Sequence, residues 1–123
     1  MLKNFLIVGL GGAGGSMLRY AVQKMFYTQN GGAFPTGTLL VNISGCFLIG
    51  ILFGLFTRSL TWGEEMKLLL MAGFCGGFTT FSAFTLEGIG LLKENKTTLF
   101  IMYITASVAG GLLATFIGIR IAK

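Results

Sequence analysis

The amino-acid sequence predicts an all-α integral membrane protein, and two observations carry that reading. Apolar residues make up 54% of the 123 positions and charged residues only 11%, against roughly a quarter charged in a soluble domain. The apolar residues also fall into four stretches, each long enough to cross a hydrocarbon core of ~30 Å, which takes about 20 helical residues.

One transmembrane domain over residues 1–123 is expected, with spans near 4–23, 37–57, 65–92 and 98–119. Lys3 followed by Phe5-Leu6-Ile7-Val8 opens like a secretory leader. The glycine-rich apolar stretch runs on to about Tyr27 without a convincing cleavage site, so it reads as a retained helix. A polar turn is expected over Tyr27-Thr28-Gln29-Asn30-Gly31-Gly32, closed by Pro35. The second span ends at Arg58, and Ser59-Leu60-Thr61-Trp62-Gly63 reads as a loop. In it Trp62 suits the interface, and Glu64 and Glu65 suit the start of the next helix. Lys93-Glu94-Asn95-Lys96 separates the last two spans.

The net charge is +5. Its basic residues are scattered near the span ends, as lipid headgroups favour, and form no clustered face for nucleic acid. Lys3, Arg58, Lys67, Arg120 and Lys123 fall on one side, and Arg19, Lys24, Lys93 and Lys96 on the other. Orientation follows the lysine and arginine bias, and here that bias is close to zero. The expectation is insertion both ways, and hence an antiparallel homodimer. Small-xxx-small pairs at Gly11/Gly15, Gly50/Gly54, Gly73/Gly77 and Gly110/Ala114/Gly118 allow close helix packing in lipid.

The chain has no His and no Asp; Glu64, Glu65, Glu87 and Glu94 are its acids. That composition excludes His-based triads, His metal sites and Asp-rich phosphoryl-transfer sites. Cys46 and Cys75 lie inside apolar spans without metal or redox spacing and read as packing residues. No nucleophile–base pair is visible, so no enzyme is expected. Gly9-Leu10-Gly11-Gly12-Ala13-Gly14 matches the dinucleotide fingerprint. No acid follows at ribose distance and no βαβ pattern surrounds it, so it reads as helix packing.

Polar groups at membrane depth are costly and therefore informative. Thr38 and Asn42 are i, i+4 on the second span and share a face. The Asn42 amide suits either an interhelical hydrogen bond or an ion contact. The third span carries Gly73-Phe74-Cys75-Gly76-Gly77-Phe78-Thr79-Thr80-Phe81-Ser82-Ala83-Phe84-Thr85. Glycine costs about 1 kcal/mol relative to Ala in a helix interior, so a break near the centre is expected. Broken helices free carbonyls for cations and N–H groups for anions. Phe81 and Phe84 share a face, and the positive edges of their rings can attract an anion. Tyr103 and Ser107 extend the hydroxyl line on the fourth span. Glu87, one turn beyond Phe84, must pair, snorkel or line a wet vestibule. Arg19 sits toward the far end of the first span.

These residues resemble a known family, the Fluc/CrcB fluoride channels of microbial membranes, over nearly the whole chain. The resemblance is carried by Gly12-Ala13-Gly14-Gly15-Ser16-Met17-Leu18-Arg19-Tyr20, by Asn42-Ile43-Ser44-Gly45-Cys46-Phe47, and by Gly73 to Phe84. It implies a dual-topology homodimer with two pores in the plasma membrane (the inner membrane of bacteria). Fluoride would leave the cytoplasm passively, having entered as the weak acid HF. It further implies that Phe81 and Phe84 offer ring edges, Asn42 an amide N–H, and Ser82, Tyr103 and Ser107 hydroxyls, with Thr38 beside them. Arg19 and Glu87 would be charges of the vestibule or pore side. The carbonyls of Gly76 and Thr79 would hold a central structural Na⁺. The chain departs from the family at Ala83, where a Ser or Thr is usual.

Two rivals have different requirements. A small proton-coupled multidrug exporter needs a membrane-embedded acid, and the first span has none. A non-transporting assembly subunit would account for the glycines but not for Phe81 and Phe84 beside the hydroxyl-rich stretch.

Overall fold

The computed structural model describes residues 1–30, 34–58 and 62–123, with the side chains of 28–30 excepted. Among these the chain is helical, with no strand. The elements are α1 (Leu2–Asn30), α2 (Thr36–Arg58), α3 (Glu64–Lys67), a π-helical stretch (Leu68–Cys75), α4 (Gly76–Phe78), α5 (Phe81–Lys93) and α6 (Thr97–Ala122). Four helical runs are long and apolar enough to cross a membrane: Leu2–Tyr27, Thr36–Arg58, Glu64–Lys93 and Thr97–Ala122. The glycines at Gly9 to Gly14 lie inside α1, a helical context that the dinucleotide fingerprint does not share.

One boundary differs from the sequence expectation. The turn expected from Tyr27 begins later, because α1 continues through Asn30. Nothing from Tyr27 to Asn30 breaks a helix: the first glycine is Gly31, and polar residues extend a helix past the hydrocarbon edge without loss. The remainder of that turn, Gly31-Gly32, and the loop positions Ser59-Leu60-Thr61 lie outside the described residues. Pro35 precedes α2 and its carbonyl accepts from Leu39 N–H at 3.1 Å. A proline lacks the N–H that a helix start would leave unpaired.

The Lys93–Lys96 loop closes tightly. Lys96 N–H donates to Leu91 O at 2.9 Å and Asn95 N–H to Leu92 O at 3.0 Å, the paired bonds of a Schellman ending. That ending needs a left-handed residue, and Asn95 supplies it at φ 61°.

Helices pack through glycines where backbones meet. A Cβ on Gly118 would stand 2.9 Å from Ile51 N, and one on Gly50 would run into the Thr115 carbonyl. This crossing lies on the most extensive pairing in the fold, α2 on α6. Likewise a Cβ on Gly77 would lie 2.6 Å from Gly12 O, so α4 lies directly on α1. One core gathers Leu52, Phe56 and Cys75; a second gathers Phe84, Leu91 and Tyr103. Cys75 is thus a packing residue.

Spans consecutive in the sequence run in opposite directions, so the first and third run parallel, as do the second and fourth. A Cβ on Gly37, at the start of α2, would lie 2.9 Å from Gln23 Cα near the end of α1. Lys3 pairs with Glu65 at 2.7 Å, and Arg58 Nη1 donates to Ala122 O at 3.5 Å. Lys3, Glu65, Arg58 and the end of α6 therefore share one end of the bundle. The outside is apolar: Leu10 (72% exposed), Leu112 (70%) and Leu86 (74%) have no cover within the chain, as a lipid-facing surface requires.

Candidate functional site

The site is built where the helical path is interrupted. Thr79 (φ −84°, ψ 157°) and Thr80 (φ −149°, ψ 121°) are extended between α4 and α5. Just before them runs the π-helical stretch, a wide winding found often at functional sites. Each backbone group displaced from helical pairing must find another partner at membrane depth.

Side-chain contacts supply partners to several of these groups. Asn42 Oδ1 accepts from Thr80 N–H at 2.8 Å. Its Nδ2 donates to Thr80 O at 2.9 Å. Arg19 Nε donates to Gly77 O at 2.9 Å, taking the place of Phe81 N–H. Thr80 Oγ1 accepts from Ala83 N–H at 3.2 Å and so caps α5, a standard role for threonine at that position. In a continuous helix Thr80 N–H would go to Gly76 O, and Ala83 N–H to Thr79 O. Both donors are committed elsewhere, so the carbonyls of Gly76 and Thr79 have lost their helical partners.

A cleft of about 430 Å³ opens beside this segment, and Asn42, Gly76, Thr79, Phe81, Phe84 and Ser107 are among the residues lining it. The Phe81 and Phe84 centroids lie 5.7 Å apart with planes tilted 46°. Phe81 is 75% exposed, whereas Phe84 is buried. Ser107 Oγ is buried and, among the described residues, has no hydrogen-bond partner. A buried hydroxyl without a partner is uncommon and calls for an explanation. Asn42 has one N–H in use, and an amide has two, so a second remains for the cleft that Asn42 lines.

A second cavity of about 500 Å³, among whose lining residues are Tyr20, Gln23, Lys24, Thr38, Glu87 and Glu94, lies toward the end of α1 and the start of α2. Tyr103 separates the two. Its ring packs on Phe84 at 5.2 Å, on the first cleft, while its hydroxyl donates to Glu87 Oε1 at 3.2 Å, in the second. Gln23 Nε2 donates to Thr38 Oγ1 at 2.9 Å, and both Thr38 and Tyr103 are fully buried. Polar groups therefore continue from one cavity to the other past the Phe84–Tyr103 pair.

The residues singled out in the sequence divide accordingly. Asn42, Phe81, Phe84, Ser107, Gly76 and Thr79 meet at the first cleft, Thr38 and Glu87 at the second, and Tyr103 lies between. Ser82 lines neither cavity; its hydroxyl lies 3.4 Å from Thr80 Oγ1. Arg19 lines neither and holds the Gly77 carbonyl. Sequence reasoning passed over Thr80 and Gln23. Thr80 carried a signal, a threonine three residues before Ala83 at a helix start; Gln23 carried none.

Comparison with known proteins gives a consistent result. Residues 6–119 match the family described as CrcB-like protein, Camphor Resistance (CrcB). A protein of Rhizobium etli called fluoride-specific ion channel FluC is 47% identical over 118 residues, covering 96% of this chain and 94% of that one. One of the same name from Leptospira interrogans is 42% identical over 121 residues (98% and 95%). Another from Flavobacterium psychrophilum is 41% identical over 122 (99% and 98%).

Proposed function

The chain belongs to the CrcB-like family, and from that premise we propose that it is a fluoride-selective channel of the plasma membrane, passive and without enzymatic activity. The observation that carries the reading is the first cleft, where two phenylalanine rings, an amide and the partnerless Ser107 hydroxyl converge. These are neutral donors and ring edges. A small anion that sheds water can be held by them, yet no fixed charge traps it there.

In this reading the ion passes between the two cavities along Ser107, Asn42, the edges of Phe81 and Phe84, and Tyr103. Thr38 and Ser82 lie beside that track. Glu87 and Arg19 set the field near the openings. Residues 1–123 act as one domain, its third span divided at Thr79 and Thr80. Lysine and arginine nearly balanced between the two sides support insertion in both orientations, and with it an antiparallel homodimer with two pores. The exposed apolar faces of the chain are then shared between lipid and the second copy. Tags on the two termini should each be reached from both sides of the membrane; a single orientation overturns the dual arrangement.

The carbonyls of Gly76 and Thr79 fit a structural Na⁺. Both have lost their helical donors, as argued above, and unwound carbonyls are suited to Na⁺. When bound, the ion would neutralise those dipoles and hold the two carbonyls in place.

The test is fluoride efflux from liposomes containing the purified protein, followed with an ion-selective electrode against chloride. Fluoride efflux without chloride efflux is expected. Absence of fluoride efflux from both the chain and its Ala83→Thr variant overturns the channel reading.

A further inference from the structure

We infer that Asn42 is a positioning residue for the cation-binding carbonyls, so that one amide serves both the anion track and the cation site. The inference rests on the Na⁺ reading above and adds a residue that nothing in that reading requires.

Asn42 grips the Thr80 peptide from both sides, Oδ1 on its N–H at 2.8 Å and Nδ2 on its C=O at 2.9 Å. The assignment of amide oxygen and nitrogen follows from that pairing, because an N–H needs an acceptor and a C=O a donor. The grip reaches from α2 to a residue whose backbone is extended. If it were removed, Thr80 N–H would stand unpaired at membrane depth, which is costly. The nearest remedy is the bond an ordinary helix would make, from Thr80 N–H to Gly76 O. That bond closes the interruption and consumes a carbonyl assigned to the cation. Asn42 therefore keeps Gly76 O available without touching it. The same side chain lines the cleft with Phe81, Phe84 and Ser107.

Substitutions separate the roles. Asn42→Ala removes the acceptor for Thr80 N–H. Asn42→Ser leaves a hydroxyl too short to span both groups, and serves where the alanine variant does not fold. Asn42→Asp keeps an oxygen for Thr80 N–H and, when protonated, an O–H for Thr80 C=O, but has no second donor for the anion. The measurement is the melting temperature of the purified protein as NaCl replaces N-methyl-D-glucamine chloride at constant ionic strength, read as the Na⁺ concentration giving half the stabilisation. This reports the cation site independently of flux.

For Asn42→Ala and Asn42→Ser that concentration should rise about tenfold or more, the usual effect of losing a group that orients a metal ligand. For Asn42→Asp it should stay at or below the unaltered protein's value while fluoride flux falls. An alanine or serine variant that keeps the unaltered response overturns the inference and leaves the Na⁺ reading standing. An aspartate variant that loses the response as alanine does, at a pH low enough to protonate it, overturns it too, since a protonated carboxyl keeps both the acceptor and a donor. An unaltered protein indifferent to Na⁺ overturns the Na⁺ reading and this inference with it.

Discussion

The Tyr103 hydroxyl, fully buried, donates to Glu87 Oε1 at 3.2 Å and so ties α6 to α5 where the two cavities meet. The bond gives a carboxylate in an apolar segment a partner, which a membrane-embedded acid requires. Tyr103→Phe keeps the ring that packs on Phe84 and removes only the hydroxyl. If the hydroxyl also contacts the ion at its barrier, losing a contact of about 1 kcal/mol there corresponds to a roughly fivefold fall in fluoride efflux. Liposome efflux checks this; unchanged flux places the ion's route away from Tyr103.

Ser107 offers the opposite case. Its buried hydroxyl has no hydrogen-bond partner among the described residues. Removing an unpaired polar group costs the fold nothing and can stabilise it. Ser107→Ala should therefore raise or preserve the melting temperature while lowering fluoride flux. A variant that melts lower shows that the hydroxyl has a structural partner in the assembled protein.

Phe81 is 75% exposed, so Phe81→Ile should leave stability within about 0.5 kcal/mol. The ring edge is lost, and with it an interaction of about 1.5 kcal/mol, which slows fluoride about tenfold. Parallel efflux and thermal-melt measurements separate the two quantities, and normal flux in a stable Phe81→Ile protein removes this ring from the track.

Ala83 lies in the first turn of α5, its N–H held by Thr80 Oγ1 at 3.2 Å. A hydroxyl at this position adds a donor or acceptor next to the track and leaves the backbone bond intact. Ala83→Thr is expected to raise fluoride flux. Equal or lower flux in liposomes rejects a pore role for this position.

Glycine substitutions should sort by what surrounds them. Gly77→Ala sets a Cβ 2.6 Å from Gly12 O, and backbone cannot swing aside. Overpacking of that kind costs about 1–3 kcal/mol. Gly9 has nothing within 4 Å, so Gly9→Ala should be neutral or stabilise by up to about 1 kcal/mol from helix propensity. Thermal melts of the two variants should move apart; equal shifts argue against the α1–α4 contact.

Membrane residence and the number of spans were legible in the sequence, because the bilayer demands about 20 apolar residues per crossing whatever the neighbours are. The Lys93–Lys96 turn was legible for a similar local reason, and so was the family resemblance, since its motifs are contiguous runs. The glycine- and hydroxyl-rich run of the third span marked the right neighbourhood. It did not reveal that Leu68–Cys75 winds as a π-helix or that Thr79 and Thr80 are the extended pair. The extent of α1 was underestimated, because polarity marks the edge of hydrocarbon and not the end of a helix.

What the tertiary structure alone decided is which partner each displaced group takes. Asn42 and Thr80 are 38 positions apart, and Arg19 and Gly77 are 58 apart. No local pattern ties either pair together. Read singly, Asn42 suited an interhelical bond or an ion contact; the fold gives it both polar groups of one peptide and leaves a second N–H. Arg19 read as a vestibule charge, and its Nε is spent on a carbonyl. Local chemistry sets what a segment of chain can do in lipid. Which bonds it makes depends on the rest of the fold, because a group withdrawn from helical pairing at membrane depth must be satisfied by whatever side chain packing brings within about 3 Å.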